Sequence, residues 1–303
     1  MIYPAFIKPG ALVGLVAPSG KIAPRFVEQA EKYLEGIGMR HLRGKHVAGA
    51  WHQFGGTDQQ RANDLNSMLL NPEVDVIWCM RGGYGAVRIL KMVNFDWLLE
   101  TPKWLVGFSD ITVFHALLQK KIGLASMHGP MPKNLDDGIA ADTGMDHLWH
   151  FLQGAWPVYP LKPHPLNRMG QATGRLCGGN LTILTLLKGS ELDFDPKGKI
   201  LFIEEVGEHL YHLDRMMYGL KVAGKLEGLA GLVVGQMTDM QDNKTPFGAT
   251  EYQIIGHAVE EYDYPVLFGF EAGHGKCNWP LLMGHKVKLE VMKDRVALAY
   301  VKK

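Results

Sequence analysis

One serine, Ser109, has the sequence surroundings of a hydroxyl nucleophile. The segment 104–108 is apolar throughout, as a buried strand is, and after Ser109 apolar residues recur at helical spacing. A strand that turns into a helix within one or two residues lifts the turn side chain clear of the sheet and aims the first free helix N–H groups at a ligand. Gly107 permits the close backbone approach of such a turn, which has the form of a nucleophile elbow without its second glycine. The alternative is that Ser109 only caps the helix.

A serine nucleophile needs a base within hydrogen-bond reach, and the base needs a third group that orients it. Among the 13 histidines, His274 is distinctive because it follows an apolar strand and is flanked by Gly273 and Gly275. His128, which precedes Gly-Pro after another strand, is the second candidate. A lone histidine in such a place can also be purely structural.

Two adjacent carboxylates, Glu204 and Glu205, follow the apolar segment 200–203. Adjacent strand residues point to opposite faces, so only one of the two can reach a given imidazole. The apolar pattern does not choose between them, and the pair can equally be a surface acid beside an acid in a salt bridge. The chain order Ser, Glu, His is that of the α/β-hydrolases.

The elements that must position these groups alternate between strand and helix in the first half of the chain. That order predicts a parallel sheet covered by helices on both faces. Ligands of such sheets lie beyond the carboxyl ends of the strands, where the turns Pro18–Gly20 and Arg81–Gly85 and the residue Ser109 all fall. Two adjacent glycines in the second turn let N–H groups approach a ligand, or they simply form a tight turn. The first turn lacks the G-x-G-x-x-G fingerprint, which argues against dinucleotide binding.

A proline-rich segment divides the chain. Residues 156–165 contain four prolines, which excludes a helix and favours a stiff connector. We predict an N-terminal α/β domain with the nucleophile at 1–154, a linker at 155–173, and a C-terminal domain with the glutamate and histidine at 174–303. The alternating pattern of 286–301 predicts a closing hairpin.

The composition excludes several classes of partner. Of the 303 residues, 47% are apolar and 21% charged, and a net charge of +1 without a basic run argues against nucleic acid. No apolar run approaches the roughly 18 residues of a membrane span, and the N-terminus does not have the pattern of a signal peptide. Cys79, Cys177 and Cys277 are too far apart for a metal knuckle and suit a reducing compartment. We expect a cytoplasmic homodimer with no metal, no other cofactor and no membrane partner.

Seven motifs, in order over nearly the whole chain, resemble those of the LD-carboxypeptidases. These are muramoyltetrapeptide carboxypeptidases, of the serine peptidase family that also contains the microcin-C immunity proteins. The motifs are Val13–Ser19, Arg81–Gly85, Gly107–Asp110, His128–Pro130, Gly178–Asn180, Ile203–Glu205 followed by Leu213–Arg215, and Gly273–His274.

This resemblance implies an α/β fold: a flavodoxin-like N-terminal domain with a parallel sheet, a smaller β-rich C-terminal domain, and an active site in the cleft between them. It implies that Ser109 is the nucleophile, His274 the general base and Glu204 the carboxylate that orients the base. The N–H groups of Gly83 and Asp110 are implied to form the oxyanion hole.

The resemblance also implies the reaction. The substrate is a small peptide, the tetrapeptide of recycled cell-wall fragments, and the bond cut is the L,D amide to its terminal D-alanine, beside diaminopimelate. We expect Arg81 and Asn180 to contact it, whereas His212 stands where an arginine is expected and leaves further contacts open. Two alternatives are a serine hydrolase of acyl-sulfamoyl or peptidyl-nucleotide compounds, as in the immunity branch, and a noncatalytic two-domain protein that binds small molecules.

Overall fold

Residues 1–136, 144–159 and 161–301 are described in the computed structural model, so residue 160 of the predicted linker lies outside the described residues. Contacts within the chain divide it into two units. Unit 1 comprises Met1–Ala155 with Trp279–Leu282, and unit 2 comprises Trp156–Asn278 with Met283–Lys303. Trp279–Leu282 therefore groups with unit 1 although it lies within the predicted C-terminal domain.

The strands and helices follow each other in nearly regular alternation. The strands are β1 Leu12–Val16, β2 Arg40–Arg43, β3 Val74–Cys79, β4 Trp104–Gly107, β5 Ser126–His128, β6 Gly170–Asn180, β7 Lys199–Val206, β8 Gly231–Thr238, β9 Val266–Phe268, β10 Leu281–Met283, β11 Lys286–Val291 and β12 Val296–Tyr300. The α-helices are α1 Pro24–Gly36, α2 Asp58–Leu70, α3 Ala86–Ile89, α4 Trp97–Glu100, α5 Thr112–Leu117, α6 Met145–Leu152, α7 Leu181–Leu187, α8 Leu210–Val222 and α9 Glu251–Ala258.

The first sheet has the strand order β10-β5-β4-β3-β1-β2. The pairs β1–β2, β1–β3, β3–β4 and β4–β5 are parallel. Every residue of β1 and β4 is buried, as expected for strands covered on both faces. Because the strands are parallel, the turns that follow β1, β3 and β4 emerge at one edge of the sheet, as predicted.

The second sheet has the order β12-β11-β6-β7-β8-β9. Its strands β6 to β9 are parallel and are joined through α7, α8 and α9, whereas β11 is antiparallel to both β6 and β12. Leu213, Met217, Leu232 and Ile255 are among the buried residues of its core, between the sheet and helices α8 and α9. Unit 2 is thus itself an α/β unit that ends in the predicted hairpin, and the predicted α/β fold class is confirmed.

Strand β6 differs from the sequence-based assignment. It begins at Gly170, inside the predicted linker, and runs to Asn180, which is also the N-cap of α7. Glycines at 170, 174, 178 and 179 hide the strand because glycine has little intrinsic preference for strands. The described part of the proline-rich segment before β6 contains no helix. Within the described ranges, no helix has the length and apolar character needed to cross a membrane.

Candidate active site

Ser109 occupies a strained turn at the carboxyl end of β4. Its φ is +62°, in the left-handed region that residues other than glycine rarely adopt. A 3₁₀ turn, Ser109–Ile111, follows at once and continues into α5. Phe108 and Asp110 are buried, whereas Ser109 between them is half-buried. The turn thus presents one hydroxyl from an otherwise buried junction, as a nucleophile elbow does.

Position 107 requires a glycine because the backbone of this turn lies close to Ile111 and Cys79. A Cβ at this position would lie 3.0 Å from Ile111 Cγ1 and 3.2 Å from Cys79 Cβ. A larger residue would therefore push the first helical turn away from the sheet and move Ser109 with it.

The glycine turn after β3 lies directly beside Ser109. A Cβ on Gly82 would lie 2.7 Å from Ser109 Cβ, 2.8 Å from its Oγ and 3.4 Å from the Asp110 nitrogen. Gly83 follows with a φ of +107°, so this backbone conformation also favours glycine. The structure therefore brings the Ser109 hydroxyl and the Asp110 N–H close to Gly82, whereas the oxyanion role of Gly83 and Asp110 stays a prediction.

The Asp110 carboxylate connects three turns at this edge of the sheet. Its Oδ2 accepts hydrogen bonds from Ser19 Oγ at 2.6 Å and from the Ala86 N–H at 2.8 Å. The side chain is only 1% exposed, and burial raises its pKa although both hydrogen bonds oppose this. The family resemblance implies a role for the Asp110 N–H alone, and an acid one position after a serine gives no local signal of such a side-chain contact.

Arg61, in α2, connects two of the same turns. Its guanidinium is buried and donates to the carbonyl oxygens of Pro18 and Gly85, the latter at 2.9 Å. Arg81, the predicted substrate contact, is half-buried and donates from Nη1 to the Lys21 carbonyl at 3.0 Å. Both arginines therefore connect turns in this structure.

Two buried histidines pack behind the serine turn. His115 Nε2 lies 2.8 Å from the Gly107 carbonyl oxygen, and its Nδ1 lies 2.8 Å from Ser126 Oγ. Burial lowers the pKa of His115 to about 4, against the hydrogen bond to Gly107, so the ring is neutral and Nε2–H is the donor. His128, the second candidate base, is fully buried with its ring centroid 5.7 Å from that of Phe108.

In unit 2, Glu204 and His274 form a close pair. Glu204 Oε2 lies 2.7 Å from His274 Nδ1, with the glutamate side chain fully buried and that of the histidine 20% exposed. Burial lowers the pKa of His274, but the charge of Glu204 and this hydrogen bond outweigh it, and the pKa is raised overall. With Nδ1–H donated to the carboxylate, Nε2 is the basic nitrogen, which is the tautomer a general base requires.

Glu205 has different hydrogen-bond partners from Glu204. Its Oε1 accepts from Asn180 Nδ2 at 3.0 Å and from the Val206 N–H at 2.9 Å, and its Oε2 accepts from the Thr182 N–H at 2.7 Å. Burial and then the neighbouring charge of Glu204 raise the pKa of Glu205. The two carboxylates thus separate as adjacent strand residues should. Glu205 joins β7 to the start of α7, and Glu204 alone contacts His274.

Asn180, the other predicted substrate contact, has structural partners here. Besides its bond to Glu205, its Oδ1 accepts from the Ile183 N–H at 3.3 Å as the N-cap of α7. His212 pairs with Glu208 through Nδ1, where the resemblance had led us to expect an arginine. The substrate roles of Arg81 and Asn180 stay predictions.

Each unit holds some of the residues that were predicted for catalysis. Unit 1 contains Ser109, and unit 2 contains the pair of Glu204 and His274. A serine hydrolase needs a hydroxyl nucleophile and a base with an orienting carboxylate. In the part of the chain that the structure describes, no three His, Cys, Asp or Glu side chains are grouped as metal ligands.

Comparisons with known proteins match both units to one family. The model of the LD-carboxypeptidase N-terminal domain matches residues 13–129, and that of the C-terminal domain matches residues 173–289. A probable murein peptide carboxypeptidase of Bacillus subtilis (strain 168) is 31% identical over 305 residues, which cover 97% of this chain and 93% of that protein.

Two further relatives represent both branches of the family. The crystal structure of muramoyltetrapeptide carboxypeptidase from Oxalobacter formigenes has a TM-score of 0.87 and 26% identity, and the match covers 96% of this chain and 99% of that one. The microcin C7 self-immunity protein MccF of Escherichia coli is 23% identical over 335 residues, covering 98% of this chain and 96% of that protein. With both domain models matched in order and the resemblance of the seven motifs thereby confirmed, the chain belongs to the LD-carboxypeptidase family.

Proposed function

We propose that this protein is a serine-type LD-carboxypeptidase that removes the terminal D-alanine from murein tetrapeptides during cell-wall recycling. The observation that carries the proposal is the 2.7 Å pairing of Glu204 with His274 Nδ1 in a chain whose Ser109 occupies a strained turn. These are the three residue types of a triad in the order Ser, Glu, His, and the family membership supplies the kind of reaction.

In the proposed mechanism Ser109 and His274 react in turn, while Glu204 holds the His274 ring through Nδ1. His274 Nε2 accepts the proton of Ser109 Oγ as the oxygen attacks the substrate carbonyl. The N–H groups of Gly83 and Asp110 donate to the resulting oxyanion, each contributing about 3 kcal/mol to the stability of the transition state. His274 then protonates the leaving amine of D-alanine, and an ester to Ser109 remains. Water, deprotonated by His274, hydrolyses the ester and restores the hydroxyl.

The substrate is proposed from the relatives. The protein of Oxalobacter formigenes is named a muramoyltetrapeptide carboxypeptidase, and that of Bacillus subtilis a probable murein peptide carboxypeptidase. A cytoplasmic location is supported by Cys79 and Cys177, which are buried free thiols, as is usual in a reducing compartment. The homodimer stays a prediction, which sedimentation of the purified protein would test.

Replacement of Ser109 tests the proposed function. We expect the wild type to convert murein tetrapeptide to tripeptide and free D-alanine, detected by mass spectrometry. Ser109→Ala should lower kcat by about 10⁶-fold, as loss of a triad nucleophile does, with an unchanged melting temperature. Ser67→Ala, at an exposed serine of α2, is the matched control and should retain full activity.

Other outcomes of the same assay support the alternatives. Turnover of an acyl-sulfamoyl adenosine but not of tetrapeptide would assign the protein to the chemistry of the immunity branch. If a covalent serine reagent such as a fluorophosphonate leaves Ser109 unlabelled and neither substrate is consumed, the protein is a binding protein. Ser109→Ala activity within tenfold of the wild type would contradict a serine mechanism.

A further inference from the structure

The loop that carries His274 has no regular secondary structure. It spans residues 271–278, between β9 and β10. A general base must keep its geometry to within a fraction of an ångström, so a base on a loop needs groups that fix that loop. The bond between Glu204 and His274 holds the ring but leaves the backbone on either side of it to be fixed by other contacts.

Gln236 of β8 makes three hydrogen bonds to this loop. Its backbone N–H donates to the Ala272 carbonyl at 3.0 Å. Its side-chain Oε1 accepts from the Gly275 N–H at 2.7 Å, and its Nε2 donates to the Cys277 carbonyl at 3.0 Å. One glutamine therefore anchors the loop before and after His274.

The position of Gln236 depends on an irregularity in the sheet. Ile203 of β7 pairs with Val234, but Glu205 pairs with Met237, so β8 has one more residue than β7 in this interval. Such a bulge redirects a side chain relative to regular alternation. The bulge lies opposite Glu204, and Gln236 is one of its residues.

Asn278 anchors the loop from its far end. Its Oδ1 accepts from the Gly273 N–H at 3.0 Å, and the residue is only 2% exposed. The N–H groups on both sides of His274, those of Gly273 and Gly275, therefore each donate to the oxygen of a side-chain amide.

The two glycines next to His274 are explained by these contacts. A Cβ on Gly275 would lie 2.5 Å from Gln236 Nε2, and Gly275 does not have a positive φ, so space is what requires a glycine there. Gly273 has a φ of +132°, and a Cβ on it would lie 3.1 Å from Glu204 Oε2. Both glycines let the loop backbone lie against the groups that hold the histidine.

We infer that Gln236 and Asn278 are positioning residues, which clamp the backbone on both sides of His274 and so keep its Nδ1 on Glu204. The kinetic consequence rests on the proposed function, whereas the position of the imidazole does not. When the clamp is removed, the loop samples conformations in which Nδ1 leaves the carboxylate. The substrate-binding surface is unaltered, so kcat falls while KM changes little. A displacement of about 1 Å at a reacting group can cost on the order of 10²-fold in rate.

The test compares Gln236→Met with Gln253→Met. Both substitutions replace glutamine by a side chain of similar length without an amide, and Gln253 accepts one backbone hydrogen bond, from Thr250 in the capping box of α9. Nuclear magnetic resonance of ¹⁵N-histidine-labelled protein follows the His274 Nδ1–H and the titration of the ring. The signals are assigned by their loss in His274→Asn.

We expect Gln236→Met to broaden the Nδ1–H signal, to lower the pKa of His274 towards its ordinary value, and to reduce kcat by about 10²-fold at an almost constant KM. Gln253→Met should leave all of these as in the wild type. If Gln236→Met keeps the signal, the titration and kcat within twofold of the wild type, the inference is wrong. If the wild type does not cleave tetrapeptide, only the proposed function fails, and the resonance data still decide about the clamp.

A second variant, Gly275→Ala, tests the same inference if Gln236→Met does not fold. Gly275→Ala leaves the glutamine in the chain and adds only the methyl group that would contact its amide. It should produce the same changes in the His274 signals and in kcat. Unchanged signals in a folded Gly275→Ala protein would also overturn the inference.

Discussion

Glu204 and Glu205 show how two adjacent residues of one strand have different partners. Glu204 Oε2 contacts His274 Nδ1 at 2.7 Å, whereas both oxygens of Glu205 accept hydrogen bonds from Asn180, Thr182 and Val206. The apolar pattern of the strand leaves the choice between the two acids open, since each shares its face with buried residues. The family resemblance selected Glu204, which is the acid that the structure places on the imidazole.

Exchange of each carboxylate for its amide should separate the two roles. Glu204→Gln should lose most of kcat in the folded protein, because a neutral amide does not stabilise an imidazolium and can hold the wrong tautomer. Glu205→Gln should retain kcat but lower the free energy of unfolding by about 1–3 kcal/mol, since its new NH₂ group faces N–H donors. Measurement of kcat and of urea denaturation for both variants tests this. A dead but stable Glu205→Gln enzyme would reverse the assignment.

A second single residue, His115, makes the stability of the folded protein depend on pH. Its folded pKa is about 4, against an ordinary value of 6.5, because the ring is buried. Between these values the unfolded chain binds a proton that the folded protein does not, so stability falls as the pH falls through this window. The loss from this one group is about 3 kcal/mol between pH 7 and pH 4.

Comparison with a variant isolates that contribution. His115→Gln should be less stable than the wild type at pH 7 but should lose about 3 kcal/mol less on acidification. Urea denaturation at a series of pH values measures the difference. His150→Gln, at an exposed position of α6, is the matched histidine control and should follow the wild type. Parallel stability curves for wild type and His115→Gln would contradict the assignment.

At the scale of elements, the carboxyl edge of the first sheet is held by polar side chains under the turns. Asp110 joins the turn after β1 through Ser19 and the turn after β3 through the Ala86 N–H. Arg61 of α2 joins the same two turns through Pro18 and Gly85. Three separate turns are thereby connected beside the serine.

Removal of the central carboxylate should therefore impair catalysis beyond its immediate contacts. Asp110→Ala should lower kcat on the order of 10²-fold, because the turns that carry the proposed oxyanion donors shift. Ser19→Ala removes one donor of the three-turn connection and should have a smaller effect. Combined with Asp110→Ala it should add little, since both act through one contact. Asp96→Ala, at an exposed aspartate, is the control. Strictly additive losses from the two substitutions would contradict a shared contact.

Over the whole molecule, the features that the sequence predicts are those that leave a local, periodic pattern of apolar residues. The repeated β-α order of the first half, with its turns at the strand ends, is present as expected. Strand β6 was not predicted because its glycines interrupt the alternation of apolar and polar residues. The side-chain contacts of Asp110 and Gln236 were not predicted because an acid or an amide carries no local signal of a contact with a distant turn. Strand β10 was not predicted because a short apolar segment does not indicate which sheet it joins.

The final prediction concerns β10, the strand through which the chain returns to its first sheet. Trp279–Leu282 belongs to unit 1, where Leu281 and Leu282 are buried and β10 forms the sheet edge next to β5. Each buried leucine contributes about 1.5–3 kcal/mol, and without β10 the hydrogen-bonding edge of β5 is exposed. A fragment of residues 1–155 should therefore aggregate or unfold without cooperativity in urea. A fragment in which residues 279–285 are joined to position 155 by a glycine-serine linker should unfold cooperatively. The same midpoint for both fragments would show that β10 is dispensable to the sheet it completes.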